Sequence, residues 1–166
     1  MNKLLIGFLF SLFYTTTAYA DSLRVEFEKH NFSQSNYKTV AFLSKMKYPT
    51  ALAIHGSFYI LGEFVEKDVK RGIKMVEQSA GLGNKYAIYG LGKIYAEGIH
   101  VKQDHVKALN YFLKVENSNN KEVNYELGKM YALGLGTKKD IEKGKRYLLK
   151  SAEQGNKQAE DLLNKF

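Results

Sequence analysis

The sequence predicts an all-α solenoid, a run of stacked helix pairs. Three observations carry the prediction. First, Gly56, Gly92 and Gly128 stand 36 residues apart, and the same spacing relates Tyr59, Tyr95 and Tyr131, Gly62, Gly98 and Gly134, Asp68, Asp104 and Asp140, and Asn84, Asn120 and Asn156. A fixed period in this range marks supersecondary units that bury a core only by stacking. Second, apolar residues between these markers recur at helical spacing: Ala87, Leu91, Ile94 and Tyr95, then Val106, Leu109, Phe112 and Leu113. Val123, Leu127, Met130 and Tyr131, then Ile141, Tyr147 and Leu148, repeat the pattern. Third, one Pro and 14 Gly in 166 residues exclude a disordered or collagen-like chain.

Taken in order, residues 1–20 form a separate unit: Lys3, an apolar run over 4–14 and the small-x-small ending Ala18-Tyr19-Ala20. That is the grammar of a cleaved secretory signal peptide, and the apolar run is too short to span a bilayer. Residues 21–49 read as a divergent first repeat that caps the stack. Leu23 to Lys29 stands for its first helix, Asn36 to Lys47 for its second, and Pro49 marks the boundary that follows.

Three repeats follow, over residues 50–85, 86–121 and 122–157. Each holds two helices: Thr50 to Leu61 with Val69 to Ala80, Ala87 to Glu97 with His105 to Glu116, and Val123 to Leu133 with Ile141 to Glu153. Gly62, Gly98 and Gly134 stand where a helix end wants a residue able to take positive φ. Asp68, Asp104 and Asp140 stand where an N-cap belongs. Gly56, Gly92 and Gly128 fall inside the first helix of each pair, where glycine costs about 0.5–1 kcal/mol relative to Ala. Repeating that cost at one position predicts close helix approach. Residues 158–166 begin a terminal capping helix.

The formal net charge is +8, and of 25 basic residues only Arg24, Arg71 and Arg146 are Arg. Nucleic acid is therefore an unexpected partner, because its recognition leans on Arg and on clustered basic runs. A diffuse lysine coat fits solubility first, then an acidic protein partner or an anionic envelope surface. Cys is absent, which excludes disulfides, thiolate metal sites and a cysteine nucleophile.

These residues resemble the Sel-one-like repeat family, a relative of the tetratricopeptide repeat. Its unit reads A-x-x-x-L-G-x-x-Y-x-x-G-x-G-V-x-x-D-x-x-K-A, then an aromatic, then A-A-x-x-G-N. Ala87, Leu91, Gly92, Tyr95, Gly98, Val101, Asp104, Lys107 and Ala108 match in order. So do Leu127, Gly128, Tyr131, Gly134, Gly136, Asp140, Lys143, Tyr147, Ala152, Gly155 and Asn156. The first copy matches at Gly56, Tyr59, Gly62, Val65, Asp68, Ala80, Gly83 and Asn84. The second copy departs at its end, where Glu116, Asn119 and Asn120 stand. The resemblance implies a right-handed α/α superhelix whose first helices line the concave side. It implies an adaptor rather than an enzyme. Exported bacterial members include envelope and host-interaction scaffolds and proteins resembling periplasmic immunity proteins.

Candidate chemistry is sparse. The aspartates read as caps, not as a carboxylate row. His30, His55, His100 and His105 share no metal-ligand spacing. Residues 134–138 (GLGTK) lack the full phosphate-loop spacing and follow no strand. Asn31-Phe32-Ser33 fits a glycosylation sequon. No catalytic residue, metal or cofactor is expected. The expected site is the concave groove, at first-helix positions off the core stripe: Ser57 and Ile60, Tyr89, Lys93 and Glu97, and Tyr125, Lys129 and Leu133. Phe64 and His100 are secondary candidates in equivalent loops. The expected function is an exported binding protein, in the periplasm or alternatively extracellular, that is either an immunity protein or an envelope or host-interaction scaffold, with a small-ligand binder or hydrolase as the remote alternative.

Overall fold

The computed structural model describes residues 33–166. The leader reading of residues 1–20, the helix expected over Leu23 to Lys29, His30, and Asn31 and Phe32 of the sequon lie outside them. The described residues form α1 (Gln34–Lys45), α2 (Pro49–Leu61), α3 (Val69–Gly81), α4 (Lys85–Glu97), α5 (His105–Lys114), a 3₁₀ turn (Glu116–Ser118), α6 (Lys121–Leu133), α7 (Ile141–Glu153) and α8 (Lys157–Leu163). They contain no strand. Pro49 opens α2 at its first position, where its missing N–H costs nothing.

One loop design joins the helices of each pair. Asp68, Asp104 and Asp140 each accept a 2.9 Å hydrogen bond from the backbone N–H three residues on. Their own N–H groups donate back to the carbonyls of Tyr59, Tyr95 and Tyr131 at 2.8–2.9 Å. The Tyr-to-Asp spacing thus closes the loop through the backbone. Gly62, Gly98 and Gly134 take left-handed φ of +79°, +68° and +74° at the preceding helix ends. Phe64, His100 and Gly136 repeat that conformation two residues later. The asparagines of the repeat are caps as well: Asn84, Asn120 and Asn156 accept from the first turns of α4, α6 and α8. These caps start the helices two residues before Ala87, Val123 and Ala159, where the apolar stripe first becomes visible.

The helix pairs approach closely at small residues. A Cβ on Gly56 would lie 2.7 Å from the Gly72 carbonyl oxygen, and one on Gly92 would lie 2.5 Å from the Phe112 ring. A Cβ on Gly128 would meet Leu148 at 2.7 Å, and one on Gly144 would meet Ala132 at 2.6 Å. Aromatic and cationic side chains fasten the same pairs. Arg71, Lys107 and Lys143 stand over the rings of Tyr59, Tyr95 and Tyr131 at 4.2, 3.8 and 3.9 Å. Tyr95 stacks on Tyr111, and Tyr131 on Tyr147.

The chain divides into two compact units, one ending at Ala87 and one beginning at Ile88. The first packs Val40, Leu43, Ala51, Ile54 and Phe58 against Tyr37, Tyr48 and Val65. In the second, Leu91, Phe112, Leu127, Met130 and Leu148 are fully buried. Two residues assigned to the apolar stripe are exposed instead, Val106 at 57% and Ile141 at 37%. Both lie in the first turn of a second helix, ahead of the buried Ala108 and Gly144.

The second repeat ends differently from its neighbours. Helix α5 spans 10 residues where α3 and α7 span 13. Ser79 and Ser151 donate to the carbonyls of Pro49 and Lys121, tying each second helix back to the first. Val115 holds that position in the second repeat and has no hydroxyl to donate.

Candidate functional site

Consecutive first helices bring the predicted residues of the second and third repeats together. Tyr89 and Lys93 project from α4, Tyr125 from α6, and the lead into α8 closes one end of a cleft of about 340 Å³. All of it lies within the second unit. Glu126, which sequence reasoning did not select, also lines the cleft. This residue is 2% exposed. Its Oε1 lies 2.9 Å from Lys93 Nζ, and its Oε2 lies 2.6 Å from Lys129 Nζ. Lys93 also pairs with Glu97 one turn on. Four predicted residues therefore surround one buried carboxylate or adjoin its partners: Lys93, Glu97, Tyr125 and Lys129. The signal that points to Glu126 is its repeat position, where Ile54 and Gly90 stand in the other copies.

The electrostatics follow from this geometry. Burial works against the Lys93 ammonium, but hydrogen bonds to Glu97 and Glu126 outweigh it and raise its pKa. Burial pushes the Tyr89 hydroxyl up to about 12, with Lys93 opposing the shift and Glu126 adding to it. The Tyr89 ring packs at a tilt against Phe112, with centroids 5.8 Å apart. Lys129 Nζ lies 5.2 Å from the centre of the Tyr125 ring. The two tyrosines are thus half-buried aromatic surfaces beside an ordered charge network.

The remaining predicted positions divide. Leu133 is exposed, one turn beyond Lys129. Ser57 and Ile60 belong to the first unit. The Ser57 hydroxyl donates to the Ala53 carbonyl within its own helix. Ile60 is not a groove residue: its Cγ1 lies 2.6 Å from where a Gly72 Cβ would stand, so it faces α3. Ile60 is half-buried, and its repeat equivalent, Ala132, is fully buried. Leu61, 54% exposed, holds the position matching Glu97 and Leu133. Phe64 stacks on Tyr37 and meets Phe58 edge-on, so its ring serves the core of the first unit. Among the described residues, no group of three or more His, Cys, Asp or Glu is placed to hold a metal. No helix among them is long and apolar enough to cross a membrane.

Helix pairs capped and spaced alike, with side chains of successive first helices meeting in a cleft, define a helical-repeat solenoid protein. The chain belongs to the Sel1 repeat family, whose model matches residues 49–84, 85–115 and 122–156. Its fold is similar to that of a Sel1 repeat protein from Oxalobacter formigenes, with a TM-score of 0.70 and 25% identity over 78% of this chain and 97% of that one. It is also similar to a protective antigen of uropathogenic Escherichia coli, with a TM-score of 0.75 and 21% identity over 89% of this chain and 32% of that one. A Klebsiella pneumoniae protein described as a sel1 repeat protein matches with a TM-score of 0.56 and 19% identity, over 88% of this chain and 74% of that one. No curated protein matches.

Proposed function

We propose that this chain is a non-enzymatic protein-binding module that grips one protein partner in the α4–α6 cleft and acts in the periplasm. The observation that carries the reading is the pairing of Tyr89 and Tyr125 around the Lys93–Glu126–Lys129 network. Tyrosine anchors bury area while keeping a hydroxyl for bonding, and a network held in place before binding loses little freedom on contact. Burying a glutamate where the other repeats place Ile54 and Gly90 does not serve packing, which favours recognition as its role. The periplasmic assignment rests on the leader pattern of residues 1–20.

The partner is acidic on this reading. Lys93 and Lys129 spend their charge on Glu126 and Glu97, so they contribute order more than attraction. Attraction comes from Lys121 and Lys157, which outnumber Glu122 at the cleft, and from the net charge of residues 21–166, 24 basic against 17 acidic residues or +7. A narrower form makes the partner a secreted antibacterial effector and this chain its immunity protein. The alternative form makes the partner a component of envelope-assembly machinery. Affinity capture by residues 21–166 from the envelope fraction of the source cells, beside a Tyr89→Ala/Tyr125→Ala variant, tests the reading. One abundant protein lost with the variant supports the cleft, and its identity separates the two forms. A partner retained in full by the folded variant removes the cleft from the account.

A further inference from the structure

A second, polar cleft of about 360 Å³ opens where the second repeat departs from its neighbours. Among its lining residues are Glu116 and Asn119 from the segment after α5, Asn124 from α6, and Lys150 and Gln154 from the end of α7. It shares no lining residue with the tyrosine cleft. Three substitutions against the repeat pattern build it. Glu116 stands where the other copies have Ala80 and Ala152, and Asn119 where they have Gly83 and Gly155. Asn124 stands where they have Leu52 and Ile88.

Asn124 is the informative one. It is 5% exposed, as buried as Leu52 at 4% and Ile88 at 8%. Putting a carboxamide at a core position sacrifices apolar burial and adds a desolvation cost. Its neighbours are pre-ordered. The Tyr147 hydroxyl donates to Glu116 Oε1, and Gln154 Nε2 donates to Asn119 Oδ1 at 2.8 Å. Asn119 is held in the left-handed region at φ +50°.

We infer that this junction is a second recognition site, which holds an extended polypeptide segment by its main chain. A carboxamide offers one carbonyl acceptor and two N–H donors. That set matches the N–H and C=O of a peptide backbone, and four carboxamides line the cleft, Asn117, Asn119, Asn124 and Gln154, of which Asn119 and Gln154 are tied to one another. Lys150 adds one positive charge and Glu116 and Glu153 two carboxylates, which suits a segment carrying charged side chains. A saccharide, whose hydroxyls also donate and accept, is the competing ligand.

The test uses the substitution that restores the repeat pattern, Asn124→Leu. Random dodecapeptides displayed on phage are panned on the whole chain, and the enriched peptides are measured by calorimetry. The Asn124→Leu variant should melt at or above the wild-type temperature yet bind enriched peptides about tenfold more weakly, as expected for losing one to two hydrogen bonds. The Tyr89→Ala/Tyr125→Ala variant should bind the same peptides as wild type does. Lys150→Glu, on the exposed face, should shift the selected peptides toward basic sequences without touching the core. Three results overturn the inference: no enriched peptide, enriched peptides indifferent to Asn124→Leu and Lys150→Glu, or Asn124-dependent binding confined to a parallel array of saccharides.

Discussion

The ammonium of Lys93 on α4 lies 2.9 Å from Oε1 of Glu126 on α6, so one charge pair ties the first helices of two successive repeats. Lys129 occupies the other carboxylate oxygen from the next turn of α6. The carboxylate is buried, whereas the two lysine side chains keep roughly a third of their exposure. Water can therefore soften the loss of the network but not replace its geometry.

Removing the carboxylate alone should cost stability. Glu126→Ala leaves two ammonium groups facing one another without their shared acceptor. Partial exposure of the lysines places the expected loss at about 1–3 kcal/mol, below the ~3–5 kcal/mol of a fully buried broken pair. The triple variant Glu126→Ile, Lys93→Met and Lys129→Met should return to within about 1 kcal/mol of wild type, because an apolar replacement of the whole network leaves no orphaned charge. Urea midpoints check both, and an unchanged Glu126→Ala midpoint contradicts the structural role of the network.

The same cleft should make the protein alkali-sensitive. The Tyr89 hydroxyl is raised from 10.0 to about 12, and Lys93 is raised above its ordinary 10.5. Both groups hold their protons more tightly when folded. Their stabilisation is fully present below pH 10 and is lost as pH rises through the folded values, because the unfolded chain releases protons first. Tyr89→Phe removes one of the two groups. Denaturant titrations between pH 10 and 12 should show a smaller fall in stability for Tyr89→Phe than for wild type. Parallel curves reject the assignment.

At the other end of the scale, His55 should make the first unit acid-sensitive. Its ring is buried, its Nδ1 lies 2.7 Å from Ser44 Oγ, and burial followed by the charges of Arg71 and Lys45 lowers its pKa below 6.5. The folded state thus keeps the imidazole neutral. Its stabilisation is present above pH 6.5 and is lost as pH falls through the lowered value, since the unfolded chain takes up the proton first. Hydrogen exchange over residues 33–87 should accelerate below pH 6.5, beyond the intrinsic rate change. His55→Gln should flatten that response. Equal acid sensitivity in the variant assigns the effect elsewhere.

The period of 36 made the helix pairs, the aspartate caps and the close-approach glycines legible, because each is set by local backbone demands that recur unit by unit. Asn84, Asn120 and Asn156 show the limit of that reading. Their period was visible, but a polar residue at a turn does not announce which helix it caps. Ile60 shows another: on a short helix with apolar residues all round, one step of register separates a groove position from the buried seam against Gly72. Glu126 and Asn124 lay outside the pattern, since departures from a repeat carry meaning only once burial shows what the repeat expects there.

Two neighbouring glycines on α4 should respond oppositely to the same change. A Cβ at Gly92 would lie 2.5–2.9 Å from three atoms of the Phe112 ring, which is itself fully buried and has no room to retreat. Gly92→Ala should cost about 1–3 kcal/mol through overpacking, even though alanine favours the helix. A Cβ at Gly90 would meet nothing within 4 Å, and that residue has no positive φ. Gly90→Ala should therefore stabilise by about 0.5–1 kcal/mol, by restricting the unfolded chain and raising helix propensity. Thermal melts of the two variants give opposite signs on this account. A common sign would mean that the helix itself, and not its contact with Phe112, decides what this face of α4 tolerates.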